Sequence, residues 1–234
     1  MSPHLLNIFV HIGAGIAGMA VGFYLLWKPK ASVPHRRGGR VFAGLTLVVC
    51  ASAAIGNVFF RFTPLFAVLT VLVTYQLLSG WHVIYTKAAG PDALDALLLL
   101  GGTAVAAVLL AKLFGAGLAQ DAGISVVASS LAALGTVMAY DAARWLFPRR
   151  WHAALWRYEH VYKVVACLFG MLSAAVGNTI RAGQPWSQLA PSVAGIAVIV
   201  WFWTHNVRGA DRLDSQASQA TEEARCTSAF PHSY

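Results

Sequence analysis

Between Trp27 and Gly44 the chain reads WKPKASVPHRRGGRVFAG. The stretch holds Lys28, Lys30, His35, Arg36, Arg37 and Arg40, and a long apolar run flanks it on either side. Working outward, the chain keeps the same habit: uninterrupted oil, then a short basic break. Of 234 residues 58% are hydrophobic and only 11% charged, and the mean hydropathy is +0.62. A soluble domain carries roughly 25% charged residues. So few charges do not cover a water-facing surface, so the membrane class comes first. The net charge of +8 would suggest nucleic acid in a soluble protein. Here it has a simpler source, because basic loops stay on the cytoplasmic side and meet anionic lipid heads. No nucleic-acid partner is expected.

A helix crosses the hydrocarbon core with about 20 apolar residues. On that template seven spans are predicted, at roughly 5–27, 41–61, 64–85, 94–114, 124–146, 158–179 and 188–207, with ends uncertain by about two to four residues. Continuous runs of this length favour helices over barrel strands, which would alternate over about ten residues. The expected fold is an all-α polytopic bundle, residues 1–207, in which each helix satisfies its own backbone. The first span lacks a basic leader and reads as retained, not as a cleaved signal. Only RFTP, 61–64, parts the second and third spans, and Pro64 suits the opening of a helix. The fourth span reads as clean. Residues 208–234 are polar, with few large apolar side chains, and are expected to be disordered.

Lysine and arginine set the orientation. The breaks after spans one, three and five, with their flanks, hold Lys28, Lys30, Arg36, Arg37, Arg40, Lys87, Arg144, Arg149, Arg150, Arg157 and Lys163, whereas the opposite breaks hold little beyond Arg61, Lys112 and Arg181. The bias places the N-terminus outside and the C-terminus in the cytoplasm.

Polar groups inside spans are costly and become candidates for function. His11 shares a face with Gly15, Gly18 and Gly22, which reads as a close-packing seam, against a partner subunit in one version. In span three Tyr75, Ser79 and His82 stand at i, i+4 and i+7. Asp141 and Arg144 are spaced to pair at i, i+3, and Glu159 and Lys163 at i, i+4. Topology sets Arg36, Arg37, Arg40, His82, Asp141, Glu159 and His160 at the cytoplasmic end. They are the candidate lining of a basic, histidine-containing vestibule for an anionic lipid or small molecule. Separate interfacial anchors, each wet, are the alternative. A redox subunit is a further one, with His82 and His160 as axial ligands of a b-type haem, or with a bound quinone. The remaining reading is an assembly subunit of a membrane complex.

The motifs of soluble enzymes, GxSxG, the P-loop and HExxH, are absent. Cys50, Cys167 and Cys226 have no regular spacing, so neither a disulfide framework nor a CxxC metal site is expected. No catalytic residue and no metal ligand is therefore assigned from sequence.

The stretch HIGAGIAGMAVGFYLLWKPKASVPHRRGGRVFAG resembles a family of bacterial multi-pass membrane proteins with no assigned activity. The resemblance lies in a first-span histidine before small residues and an HRRxGR-like loop before an aromatic, here His11, His35, Arg36, Arg37, Gly39, Arg40 and Phe42. It covers about the first 85 residues. It implies the bacterial inner membrane and no particular chemistry.

Overall fold

The computed structural model describes residues 2–30, 32–115, 124–180 and 182–207. The expectation for the 208–234 tail lies outside them. Among the described residues the secondary structure is helical, without strands. The helices are α1 (Pro3–Trp27), α2 (Val33–Ile55), α3 (Pro64–Thr86), α4 (Ala93–Gly115), α5 (Ile124–Ala143), α6 (Arg149–Thr179) and α7 (Trp186–Phe202). With their flanking turns, seven are long and apolar enough to cross a membrane. The chain thus has the architecture of a multi-pass helical membrane protein.

The largest departure from expectation is where α2 and α6 begin. Hydrophobicity alone starts the second span at 41 and the sixth at 158, yet the helices start at Val33 and Arg149. The HRRGGR stretch is therefore the first turns of a helix, and the break before it is only 28–32. The cause is local chemistry that a hydropathy window ignores. Ser32 is an N-cap whose hydroxyl accepts from the His35 N–H at 3.3 Å, and Pro34 stands in the first turn. Replacing Ser32 with Ala removes that acceptor. It should cost about 1 kcal/mol of stability in detergent unfolding, and Ser32→Asp should retain it. The RFTP break is as predicted: α2 ends in a wide turn, Gly56–Phe60, and Asn57 Oδ1 accepts from Thr63 N–H at 3.0 Å just before Pro64 opens α3.

The first pair packs antiparallel through the predicted small-residue face. Gly15 and Gly18 meet Val49 and Leu45 of α2, and Gly22 sits under Phe42 and under Leu168 of α6. His11 Nδ1 lies 2.9 Å from Ser52 Oγ and 3.2 Å from the Val49 carbonyl oxygen. The His11–Gly22 face is thus covered by this chain's own α2 and α6, not left open for a partner subunit.

Two helices form the centre. α3 buries Val68, Leu77 and Val83, and α6 buries Cys167 and Leu168. On one side they join α1, α2 and α7 in a core of Leu25, Phe42, Cys50, Leu77, Leu168 and Ile199. On the other side Leu72 and Tyr75 meet Leu134, Val137 and Met138 of α5, with Leu98 and Leu99 of α4 against them. α4 presents Leu97, Leu100, Val105 and Val108 outward. In water such a face would be a large uncovered apolar surface, whereas in a bilayer it is the face that lipid wets. The break at 28–32, the C-terminal ends of α3 and α5 and the N-terminal ends of α4 and α6 share one end of the bundle, the basic end.

Candidate functional site

At the basic end α3, α4, α5 and α6 converge on five ionisable side chains. Asp95, Asp141, Arg144, Glu159 and Lys163 are each 8% exposed or less. Lys163 Nζ donates to Asp141 Oδ1 at 2.6 Å, and Tyr75 Oη donates to Asp141 Oδ2 at 2.9 Å. Arg144 Nε lies 3.0 Å from Glu159 Oε2, and its Nη1 lies 3.4 Å from Asp95 Oδ1 and 3.8 Å from Asp141 Oδ1. Tyr140 Oη donates to the other Glu159 oxygen at 3.0 Å. Arg144 thus ties α4, α5 and α6 together, with Lys163 as a second tie between α5 and α6.

The placement follows from the chain. Arg144 opens a 3-10 turn, Arg144–Leu146, that continues α5, so Asp141 and Arg144 keep the predicted i, i+3 relation. The expected i, i+4 partnership of Glu159 with Lys163 gives way to pairing between helices: Lys163 reaches Asp141 and Glu159 reaches Arg144. The reason is burial. On an exposed helix the nearest opposite charge is on the same face, but here α6 turns that face into α5, whose own charges lie closer. Gly80 permits the approach on the α3 side. A Cβ placed there would lie 2.6 Å from Lys163 Cβ.

A half-exposed lip continues the cluster. Asp92 precedes α4, and its Oδ1 accepts from the N–H groups of Leu94 and Asp95 at 2.9 and 3.2 Å. Asp95 Oδ2 accepts in return from the Asp92 N–H at 3.1 Å. Two carboxylates therefore cap one helix reciprocally. His82 Nε2 lies 2.9 Å from Asp92 Oδ1 and 3.7 Å from Asp95 Oδ2. For Asp92 the slight burial that opposes ionisation is outweighed by the hydrogen bond from His82 and those from the Asp95 and Leu94 N–H groups. Its carboxyl is held below the usual carboxylate range.

The structure brings together three of the sequence candidates, His82, Asp141 and Glu159. It does not gather the others. Arg36, Arg37 and Arg40 are exposed on the first turns of α2. His160 Nδ1 donates to the Gly80 carbonyl at 2.9 Å, which fixes that tautomer. Gly80 and His82 are two residues apart on α3, about 200° around the helix, so His160 and His82 lie on opposite sides of it. They do not face each other across a shared space, and α3 and α6 approach closely at Gly80. The axial-pair geometry of a b-type haem is therefore not what these two histidines form.

Lys30 has a local task. Lys30 Nζ donates to the carbonyls of Leu25 and Leu26 at 3.0 and 3.1 Å, closing the C-terminus of α1, and it sits over the Phe202 ring. His35 and His160 lie within electrostatic reach of Lys30. Lys30 of the basic stretch thus caps a helix, and the arginines stay on the surface.

Asp92, Asp95, Arg144, Lys163 and Tyr140 were not assigned to the site from sequence. The fourth span, read as clean, holds one of its buried charges, Asp95. The signal that marks it is D-x-x-D at 92–95, directly before an apolar run, which is a helix-start pattern.

Fold and site together define a class: an all-helical, multi-pass membrane protein whose central helices bury an ionic cluster at one end. Comparison of the chain with known protein families, curated proteins and solved structures found no match.

Proposed function

We infer that this chain is a multi-pass protein of the bacterial inner membrane, N-terminus outside and C-terminus cytoplasmic, that binds or moves a small polar solute at its basic end. Asp95, Asp141, Arg144, Glu159 and Lys163 are its working residues. The observation that carries this reading is the composition of the buried cluster. Three carboxylates face two cations, all nearly excluded from solvent. Most of what α3 and α6 bury elsewhere is apolar, such as Val68, Leu77, Val83, Cys167 and Leu168, so the cost of five buried ionisable groups calls for a reason beyond packing. Ionisable residues within membrane helices are expensive and are associated with solute and ion pathways. The surplus carboxylate favours a solute that brings positive charge or hydrogen-bond donors. Filling the site then requires α5 or α6 to move, since the cluster is closed. The orientation is supported by Lys28, Lys30, Arg36, Arg37, Arg40, Arg149 and Arg150 at one end. The exposed arginines of α2 suit anionic lipid heads.

The test is thermal unfolding of the purified full chain in detergent against a panel of amines, amino acids, guanidinium compounds and neutral polar solutes. A true ligand at 100 times its Kd should add about 2.7 kcal/mol of stability. Glu159→Gln, which keeps the bond to Tyr140, should abolish that gain. A panel in which no solute shifts the wild type sinks this reading.

A further inference from the structure

We propose that His82, Asp92 and Asp95 form a binding site for one divalent first-row metal ion, with water in its remaining coordination positions. The first argument is donor spacing. Ligand atoms about 2.1 Å from a metal stand about 3.0 Å apart at octahedral angles and about 3.4 Å apart at tetrahedral ones. His82 Nε2 lies 2.9 Å from Asp92 Oδ1 and 3.7 Å from Asp95 Oδ2, and one donor atom from each of the three residues falls within 4.8 Å of the others. His82 Nε2 and Asp92 Oδ1 are already spaced as neighbouring ligands, and Asp95 Oδ2, at 3.7 Å, comes into range when its carboxylate draws in by a few tenths of an ångström.

The second argument is how the donors are held. Asp95 is buried, and both its oxygens have fixed partners: Oδ1 faces Arg144 and Oδ2 accepts from the Asp92 N–H. Such outer partners orient a ligating carboxylate. Asp92 is fixed by the two N–H groups at the start of α4. His82 rides on α3, the most enclosed helix of the bundle. The donors thus come from two elements packed against each other, α3 and the start of α4.

The third argument is charge and access. Asp95 belongs to a buried set with one more carboxylate than cation, and Asp92 adds another negative charge. Arg144 is the nearest fixed cation, and it approaches the far oxygen of Asp95. The field at the lip therefore favours a cation. The side chain of Asp92 is 50% exposed and that of His82 14% exposed. An ion reaches the lip from water without entering the closed cluster, and its outer positions remain open. One imidazole and two carboxylates suit Mn2+, Fe2+ or Zn2+ better than a soft ion. This site shares Asp95 with the closed cluster, but it is tested at His82 and Asp92, which the solute reading does not use, and that reading is tested at Glu159.

The experiment uses the full chain in detergent, stripped with a chelator and titrated with Mn2+. Electron paramagnetic resonance counts free Mn2+, and its pulsed form detects a coupled imidazole nitrogen. The expected result is one Mn2+ per chain with nitrogen coupling, displaced by Zn2+. His82→Gln should remove the coupling and weaken binding at least about tenfold. Asp92→Asn retains the helix cap, so it tests ligation separately from folding, and it should weaken binding by about the same factor. No bound Mn2+ in the wild type overturns the proposal. So does binding that neither variant changes.

Discussion

Lys163→Met is expected to destabilise the bundle by about 3–5 kcal/mol, the usual cost of removing one partner from a buried ion pair. Lys163 is fully enclosed, and its ammonium is 2.6 Å from Asp141. Without it Asp141 keeps the Tyr75 hydroxyl at 2.9 Å and a distant Arg144 Nη1 at 3.8 Å. Those do not replace a full charge at hydrogen-bond distance. Adding Asp141→Asn to Lys163→Met removes the orphaned charge and keeps an acceptor for Tyr75. The double variant should recover more than half of the loss. Equilibrium unfolding of the four proteins of this cycle, in mixed micelles, gives the coupling energy directly. Additive effects of the two substitutions would show that Lys163 and Asp141 are not a working pair.

The second large effect belongs to a residue with no side chain. Gly80→Val should cost about 3 kcal/mol, at the upper end of overpacking in a filled core. The atom that a new Cβ meets is Lys163 Cβ, which is fixed to the α6 backbone and does not swing away. The helices must separate. That strains both the Lys163–Asp141 contact and the His160 bond to the Gly80 carbonyl. Gly13→Ala and Gly101→Ala are the controls. An added Cβ at either meets nothing within 4 Å, and alanine is the better helix former by about 0.8–1 kcal/mol. Both controls should be neutral or stabilising. A Gly80 variant as stable as they are would mean that α3 and α6 do not meet there. Thermal unfolding in one detergent ranks all three.

The same two helices show what sequence alone delivers. Each span was legible because crossing oil demands a run of apolar residues, and that demand is local. His11 with Gly15, Gly18 and Gly22 was legible as a seam for the same reason, since one helical face is read from spacing. The ends of α2 and α6 were not legible from hydropathy. Their first turns are charged, and a cap such as Ser32 is a matter of hydrogen bonding, which does not register on an oil scale.

The site divides along the same line. Sequence determined that Tyr75 and His82 share a face, that Asp141 and Arg144 lie within reach, and that all the candidate charges fall toward one end of the bundle. Only the tertiary structure decided which of them meet. It set Lys163 against Asp141 and Glu159 against Arg144, drew Asp95 out of an apparently clean span, sent His160 to the far side of α3 from His82, and left the three arginines of α2 at the surface. Depth in the membrane is fixed by position along a helix, which one chain records in order. Partnership is fixed by how each helix is turned about its axis and by how closely small residues such as Gly80 let neighbours approach, and those depend on every other helix at once.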